Sequence, residues 1–428
     1  MKFKALLLTT AILFSSAAWA ETAWAETDAE LIARARGIHD RVITVDTHVD
    51  IPPNYGSEAY DPMKPGPRGQ QVHIPTQIEG GLDATFLIVY VGQGELSTIG
   101  YASALSDAMI KFAAIHKVAE KMYPDKIEIA YTADDVRRIN AAGKKVALIG
   151  IENGYPIGED IDLIDLFYDY GGRYFGHTHI GHNQLGDSSM DLSRNLSEPA
   201  KPLHGGLSAL GKEAVKRCNQ VGIMNDISHA GKQTALDIIA ASKAPVIASH
   251  SGAKGVFDHP RNLSDEELLA LKKNNGVAQM VAFDTYLRAV PKDKAAASKA
   301  LLEEFNIKEM SDMGKLTPDQ LKAYRAKADE IELKWPKAGV KDLADHIDYT
   351  VKLIGVDHVG IASDFNGGGG IVGWNGAGET FNVTLELVKR GYTEDQIAKI
   401  WGGNLLRVMA DVEKYAAKTK YNKKRGKV

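Results

Sequence analysis

The feature that most constrains the fold is a series of eight short apolar runs of strand length. They cover residues 43–50, 84–91, 146–151, 174–176, 222–227, 245–248, 277–283 and 358–362. Segments with helical periodicity separate them, among them 104–122, 232–241 and 264–273. The last opens with Ser264 three residues before Glu267, the spacing of a capping box. Strands alternating with helices imply parallel β/α units, and runs that are apolar throughout suit strands covered on both faces. Eight units predict an α/β chain closed into a (β/α)8 TIM barrel. An open doubly wound sheet would place a glycine-rich phosphate turn after its first strand, and none follows residue 50.

Six of the eight runs lead into a His, Asp or Glu. The rim set is His48 and Asp50, Glu152, His179, His229, His250 and Asp364. Barrel active sites are assembled at the C-terminal ends of the strands, where these residues fall. Residues two apart on a strand point the same way, so His48 and Asp50 project together as a chelating pair. One buried histidine is ordinarily a satisfied structural residue. Several imidazoles and carboxylates on one rim would be costly to bury without a cation to organise them. Nitrogen and oxygen donors favour zinc, with manganese or another divalent ion also compatible. Five or more ligands exceed one tetrahedral zinc and point to two metals.

The chain has 428 residues and a formal net charge of −4, which gives no basis for a nucleic-acid or anionic-membrane partner. Lys2 and Lys4, an apolar stretch over 5–14 and Ala18-Trp19-Ala20 form a signal-peptide pattern. The run Ala-Trp-Ala-Glu-Thr recurs at 18–22 and 23–27, so cleavage after Ala20 or Ala25 is expected, leaving 27–428 as a single catalytic barrel. Residues 418–428 are basic and polar, without the apolar tail of a glycolipid anchor signal. The expected mature protein is soluble, without a membrane anchor, and periplasmic or secreted. Cys218 is the only cysteine, so no internal disulfide can form, and its helical setting suggests a buried small hydrophobe. Between the seventh and eighth runs, residues 287–335 read as a helical insertion, either passive on the surface or leaning over the site as a lid. A homodimer is expected, as for many enzymes of this size.

The ordered set of motifs resembles the membrane (renal) dipeptidase family, a branch of the amidohydrolase superfamily. Its carriers are Asp46-Thr47-His48-Val49-Asp50-Ile51-Pro52, Ile151-Glu152-Asn153-Gly154, Thr178-His179, Asp226-Ile227-Ser228-His229, Ser249-His250-Ser251, Pro260-Arg261-Asn262 and Ser363-Asp364-Phe365. The resemblance covers essentially the whole mature chain and implies a distorted barrel of the metal-dependent hydrolase type with two Zn2+ per chain. His48, Asp50 and Glu152 would bind one zinc, and Glu152, His229 and His250 the other, with Glu152 bridging. A hydroxide between the metals would attack the peptide bond of a dipeptide, L-Xaa-L-Xaa or L-Xaa-D-Xaa. The resemblance further implies that Asp364 relays the proton, that His179 binds the carbonyl oxygen as it becomes an oxyanion, and that Arg261 grips the free C-terminal carboxylate.

Asn366 stands where many members of that family have a second Asp. His177 is expected to face the same way as His179, so the choice of His179 rests on the resemblance. His39, His73, His116, His204, His259, His346 and His358 match no motif and read as structural or exposed. Two other functions fit the rim set. One is an amidohydrolase acting on lactones, cyclic amides or organophosphates, in which Arg261 would be dispensable. The other is a non-catalytic zinc-binding protein, in which Asp364 would have no purpose.

Overall fold

The computed structural model describes residues 26–65, 70–191, 201–307, 310–419 and 421, so the leader pattern and its cleavage points lie outside the described residues. Nine strands form one parallel sheet: β1 (Val45–Asp50), β2 (Ala84–Tyr90), β3 (Ile127–Ile129), β4 (Lys145–Glu152), β5 (Gly172–Gly176), β6 (Met224–Asp226), β7 (Ile247–Ser251), β8 (Val277–Val281) and β9 (Val359–Ala362). They run in the order β1-β2-β4-β5-β6-β7-β8-β9. The ring closes just past β9, where the Asp50 amide donates to the Phe365 carbonyl at 2.9 Å. The fold is a (β/α)8 barrel, and each of the eight apolar runs supplies one of its strands.

β3 is the addition that the pattern did not announce. Its three residues pair with Lys145–Ala147 at the start of β4, and β5 takes over that edge from Ile149 onward. A run this short, with apolar residues only at Ile127 and Ile129, falls below the length at which strand alternation is recognisable.

Phe86, Ile88, Leu148, Tyr174 and Val277 pack inside the ring and are fully buried. Leu405, Val408 and Met409 of helix Asn404–Lys418 join this cluster. Gly402, just before that helix, is required by close approach. A Cβ there would lie 2.7 Å from Val45 Cγ2 and 2.8 Å from the Ile43 carbonyl oxygen. Helix Asp265–Lys273 opens with the expected capping box of Ser264 and Glu267. In the stretch after β8, helices Lys292–Glu304 and Pro318–Lys334 are joined by a Lys294–Glu332 ion pair of 3.0 Å. Helix Pro318–Lys334 buries no residue.

Cys218 is buried on helix Ala209–Val221, and burial pushes its thiol well above the ordinary range. Only the thiolate reacts. The native protein is therefore expected to leave a thiol reagent unconsumed on a timescale where the denatured protein consumes one equivalent. Rapid labelling of the native protein would contradict this placement.

Candidate metal centre

Three strand ends and three following loops deliver the rim residues. His48 and Asp50 lie on β1, Glu152 ends β4, and His250 lies on β7. His179, His229 and Asp364 follow β5, β6 and β9. The pairing of β1 with β2 shifts register between Asp46 and Val49, and that of β7 with β8 between Ala248 and Ser251. These irregularities bracket His48 and His250, and a local break in the ladder re-aims the side chain it carries. His229 and Asp364 adopt left-handed backbone, with φ of 66° and 57°. Such conformations are uncommon outside glycine and gather at functional sites.

Glu152 is the hub. Its Oε1 lies 3.1 Å from His229 Nε2, 3.3 Å from His250 Nε2 and 3.8 Å from His179 Nε2. Its Oε2 lies 3.4 Å from His48 Nε2, which is also 3.4 Å from Asp50 Oδ2. Gly367 keeps two further carboxylates close together. A Cβ on it would sit 2.2 Å from Asp50 Oδ2 and 2.3 Å from Asp364 Oδ1. Three overlapping groups can each surround a cation: His48, Glu152 and His250; Glu152, His179 and His229; and His48, Asp50 and Asp364. All seven rim residues therefore meet at one mouth of the barrel. Proximity alone draws the groups differently from the two expected ligand sets, placing His250 with His48 and His179 with His229.

The hydrogen bonds behind the imidazoles test whether cations fit. Ser249 Oγ donates to Asp226 Oδ2 at 2.6 Å, so it accepts from His250 Nδ1 at 2.8 Å. Tyr174 Oη donates to the Thr47 carbonyl at 3.3 Å and accepts from His48 Nδ1 at 3.0 Å. Protons on both Nδ1 atoms leave each Nε2, aimed at carboxylate oxygens, to be met by a second proton or by a cation. Lone pairs converging on lone pairs repel unless a proton or a cation lies between them, and an outer partner fixing the tautomer is the usual support of a metal-binding histidine. Gly150 makes this support possible, since a Cβ there would lie 2.1 Å from the Tyr174 ring.

Electrostatics agree. Burial drives His229 and His250 well below the ordinary imidazole range, with Arg261 adding to the effect, so both are neutral donors. Burial opposes the charge on Glu152, but the surrounding histidines hold its carboxyl well below the usual range. His48 differs: burial opposes its charge, but Glu152 and Asp50 outweigh it and raise His48 well above its ordinary value, so the two carboxylates draw positive charge to its Nε2, where a proton or a cation can supply it. Asp364 moves the other way. Burial, with Asp50 and Glu152 adding to it against His48, raises its carboxyl well above the normal range. A carboxyl tuned upward among ionised neighbours is suited to taking and returning a proton.

A cleft of about 660 Å³ opens over these groups, walled by Tyr90, His179, Phe283, Tyr286 and Asp364. His179 faces it, and burial holds the ring below its ordinary pKa despite Glu152 nearby. His177 does not share that direction. β5 stops at Gly176, so alternation ends before His177, which is buried and bonded through Nε2 to Asn225 Oδ1 at 2.9 Å. Burial lowers its pKa to about 4. His182 bonds the Lys201 carbonyl at 2.6 Å. Asn366 is a clamp, donating to the Asp50 carbonyl at 3.1 Å and accepting from the Gln71 amide at 2.9 Å. Arg261 is 2 % exposed, with its guanidinium carbon 5.5 Å from the ring centroid of Tyr286 in the cleft wall. Its Nη2 donates to the His250 carbonyl at 2.8 Å, its Nη1 to Ser251 Oγ at 3.3 Å, and its Nε has no partner.

Of the histidines without a motif, His39, His346 and His358 bond backbone carbonyls as structural residues. His259 differs, since it lines the cleft beside Tyr286, with ring centroids 4.8 Å apart. Tyr174, Ser249, Asp226 and Tyr90 also belong to the site and were given no role by spacing. Asp226 and Ser249 adjoin the His229 and His250 motifs, which is the signal available for them. Tyr174 sits in a barrel strand and carries no such mark.

The family model of membrane dipeptidase, peptidase family M19, matches residues 32–423. The chain is 32% identical over 320 residues to dipeptidase verJ of Clonostachys rogersoniana, covering 74% of this chain and 68% of that protein. It is 28% identical over 354 residues to dipeptidase tcpJ of Claviceps purpurea, covering 82% and 71%. Among solved structures it is similar to the probable dipeptidase PvdM from Pseudomonas aeruginosa, with a TM-score of 0.79, 34% identity, and coverage of 91% of this chain and 100% of that one. With the barrel, its rim of imidazoles and carboxylates, and a match running almost from end to end, the chain belongs to the membrane dipeptidase family, peptidase family M19, and is a hydrolase of that metallopeptidase family.

Proposed function

We propose that the protein is an exported binuclear zinc dipeptidase that cleaves the single peptide bond of L-Xaa-L-Xaa and L-Xaa-D-Xaa dipeptides. The observation that carries this reading is Glu152, whose Oε2 faces His48 Nε2 while its Oε1 faces the Nε2 atoms of His229 and His250. His48, Asp50 and Glu152 would hold one cation, and Glu152, His229 and His250 the other. When bound, such a pair acidifies water and polarises a carbonyl. The remaining work falls to the chain itself. Asp364 takes the nucleophile's proton and passes it to the leaving amine. His179, neutral and facing the cleft, donates its N–H to the oxygen that gains charge. Arg261 offers the unpartnered Nε–H to the terminal carboxylate, which longer peptides would not place there. No described helix is long and apolar enough to cross a membrane, and export rests on the leader pattern.

The test is metal analysis of the purified protein combined with a screen of L-L and L-D dipeptides and their C-terminal amides. Two zinc per chain and hydrolysis of free dipeptides but not amides are expected. Arg261→Lys should raise KM more than it lowers kcat, because the planar fork is lost while the charge remains. Equal turnover of amides and free acids, unaffected by Arg261→Lys, would favour the lactone, cyclic-amide or organophosphate reading instead.

A further inference from the structure

A second cavity, of about 730 Å³, adjoins the cleft and shares Asp50, Tyr90 and Gly367 with it. Lys111 lines it. This lysine sits on helix Thr98–Lys117 in the stripe Ala104, Ala108, Lys111, Ile115, whose members are all buried against the barrel. Helical spacing asks for an apolar residue there. Lys111 is 7 % exposed, yet among the described residues it has no hydrogen bond and no carboxylate within ion-pair distance.

The other lysine buried among the described residues shows what such a group ordinarily has. Lys294 is paired with Glu332 at 3.0 Å and lies 3.8 Å from Asp284. Among the described residues Lys111 has only the Tyr90 ring, 5.4 Å from its Nζ. A cation–π contact of that kind offsets part of the desolvation of an ammonium and does not replace an anion. Burial pulls its amine below the ordinary range, while Asp50, Glu152 and Asp107 act against that from a distance. Asp50 and Glu152 belong to the metal centre. Asp107 is exposed, so water screens it.

The cavity's position says what would reach it. Arg261 packs against Tyr286, 5.5 Å from its ring centroid, and donates its backbone N–H to His259 Nδ1, two residues of the cleft wall, and the second cavity opens beyond Tyr90. A dipeptide with its terminal carboxylate toward Arg261 has its N-terminal residue toward Tyr90. Resting on the dipeptidase reading above, we infer that this cavity receives the side chain of the N-terminal residue and that Lys111 selects an acidic side chain there. The preferred substrates are then L-Glu-Xaa and L-Asp-Xaa.

The experiment compares L-Glu-L-Ala, L-Gln-L-Ala and L-Ala-L-Ala on the metal-loaded enzyme. Glu and Gln are nearly isosteric, so their ratio isolates the charge. The wild-type kcat/KM ratio of Glu over Gln is expected at roughly tenfold or more, the scale of a buried charge-assisted hydrogen bond. Lys111→Met should bring it to about one, and Lys111→Arg should retain it. A readout without turnover is thermal protection by the free amino acids, with L-glutamate protecting the wild type more than L-glutamine and this difference lost in Lys111→Met. A wild-type ratio near one, or a ratio unchanged in Lys111→Met, overturns the inference even if Lys111→Arg is active. Hydrolysis of L-Ala-L-Ala and L-Gln-L-Ala without preference for L-Glu-L-Ala removes this proposal and leaves the dipeptidase reading standing. Hydrolysis of none of the three removes both.

Discussion

Replacing Asp364 by asparagine is expected to lower kcat by roughly 10²- to 10⁴-fold, the usual contribution of a positioned acid–base group, with two cations still bound. The substitution preserves shape and removes the proton-accepting oxygen. Asparagine tolerates left-handed backbone, so the φ of 57° at this position adds no new strain. Metal content measured beside kcat decides between two roles. Asp364 shares a possible cation-binding group with His48 and Asp50, so a variant that loses a cation along with activity would make this carboxylate a ligand. Unchanged kcat would exclude both roles.

The roles differ in how visible they are in the sequence alone. His48 and Asp50 are legible because they close the apolar run of β1, although the register break around His48 leaves no mark in the sequence. Strand alternation misleads at His177, since β5 ends one residue earlier and the chain turns before His179. Local pattern finds the strand ends, because a polar residue closing an apolar run has few structural reasons to be there. It cannot say which ends face each other, because that depends on strand order and register around the ring. Glu152 looks no different in sequence from the other rim residues, and only closure of the barrel brings its Oε2 to His48 and its Oε1 to His229 and His250. Tyr174 is less legible still. Its hydroxyl supports His48 from inside the barrel, in space that Gly150 leaves open on the neighbouring strand, and a tyrosine opposite a glycine reads as ordinary core. Lys111 was open to detection. A lysine at an inward position of an amphipathic helix breaks the period, and such a break needs a partner or a purpose.

The second large effect is expected at Glu152. Glu152→Gln keeps the volume and both hydrogen-bonding positions but removes the charge and turns one oxygen into an N–H donor. That donor would face either His48 Nε2 or the His229–His250 pair, whose nitrogens lie 2.9 Å from each other. Whichever side receives it can no longer share a cation with residue 152, and the other side keeps only a neutral carbonyl. Bound metal should fall from two per chain to one or none. Affinity for what remains should drop by more than the roughly 10- to 100-fold typical of losing an outer-shell partner. Hydrolysis should fall below that of Asp364→Asn, because the proton relay has nothing to act on without the nucleophile. Thermal unfolding gives an independent readout. A cation at 100 times its Kd stabilises a folded chain by about 2.7 kcal/mol, so added zinc should raise the Tm of the wild type and of Asp364→Asn but not of Glu152→Gln. If Glu152→Gln keeps two cations and a zinc-dependent Tm, the bridge is not at Glu152. The two candidate ions must then be held separately by the groups built around Asp364 and His179.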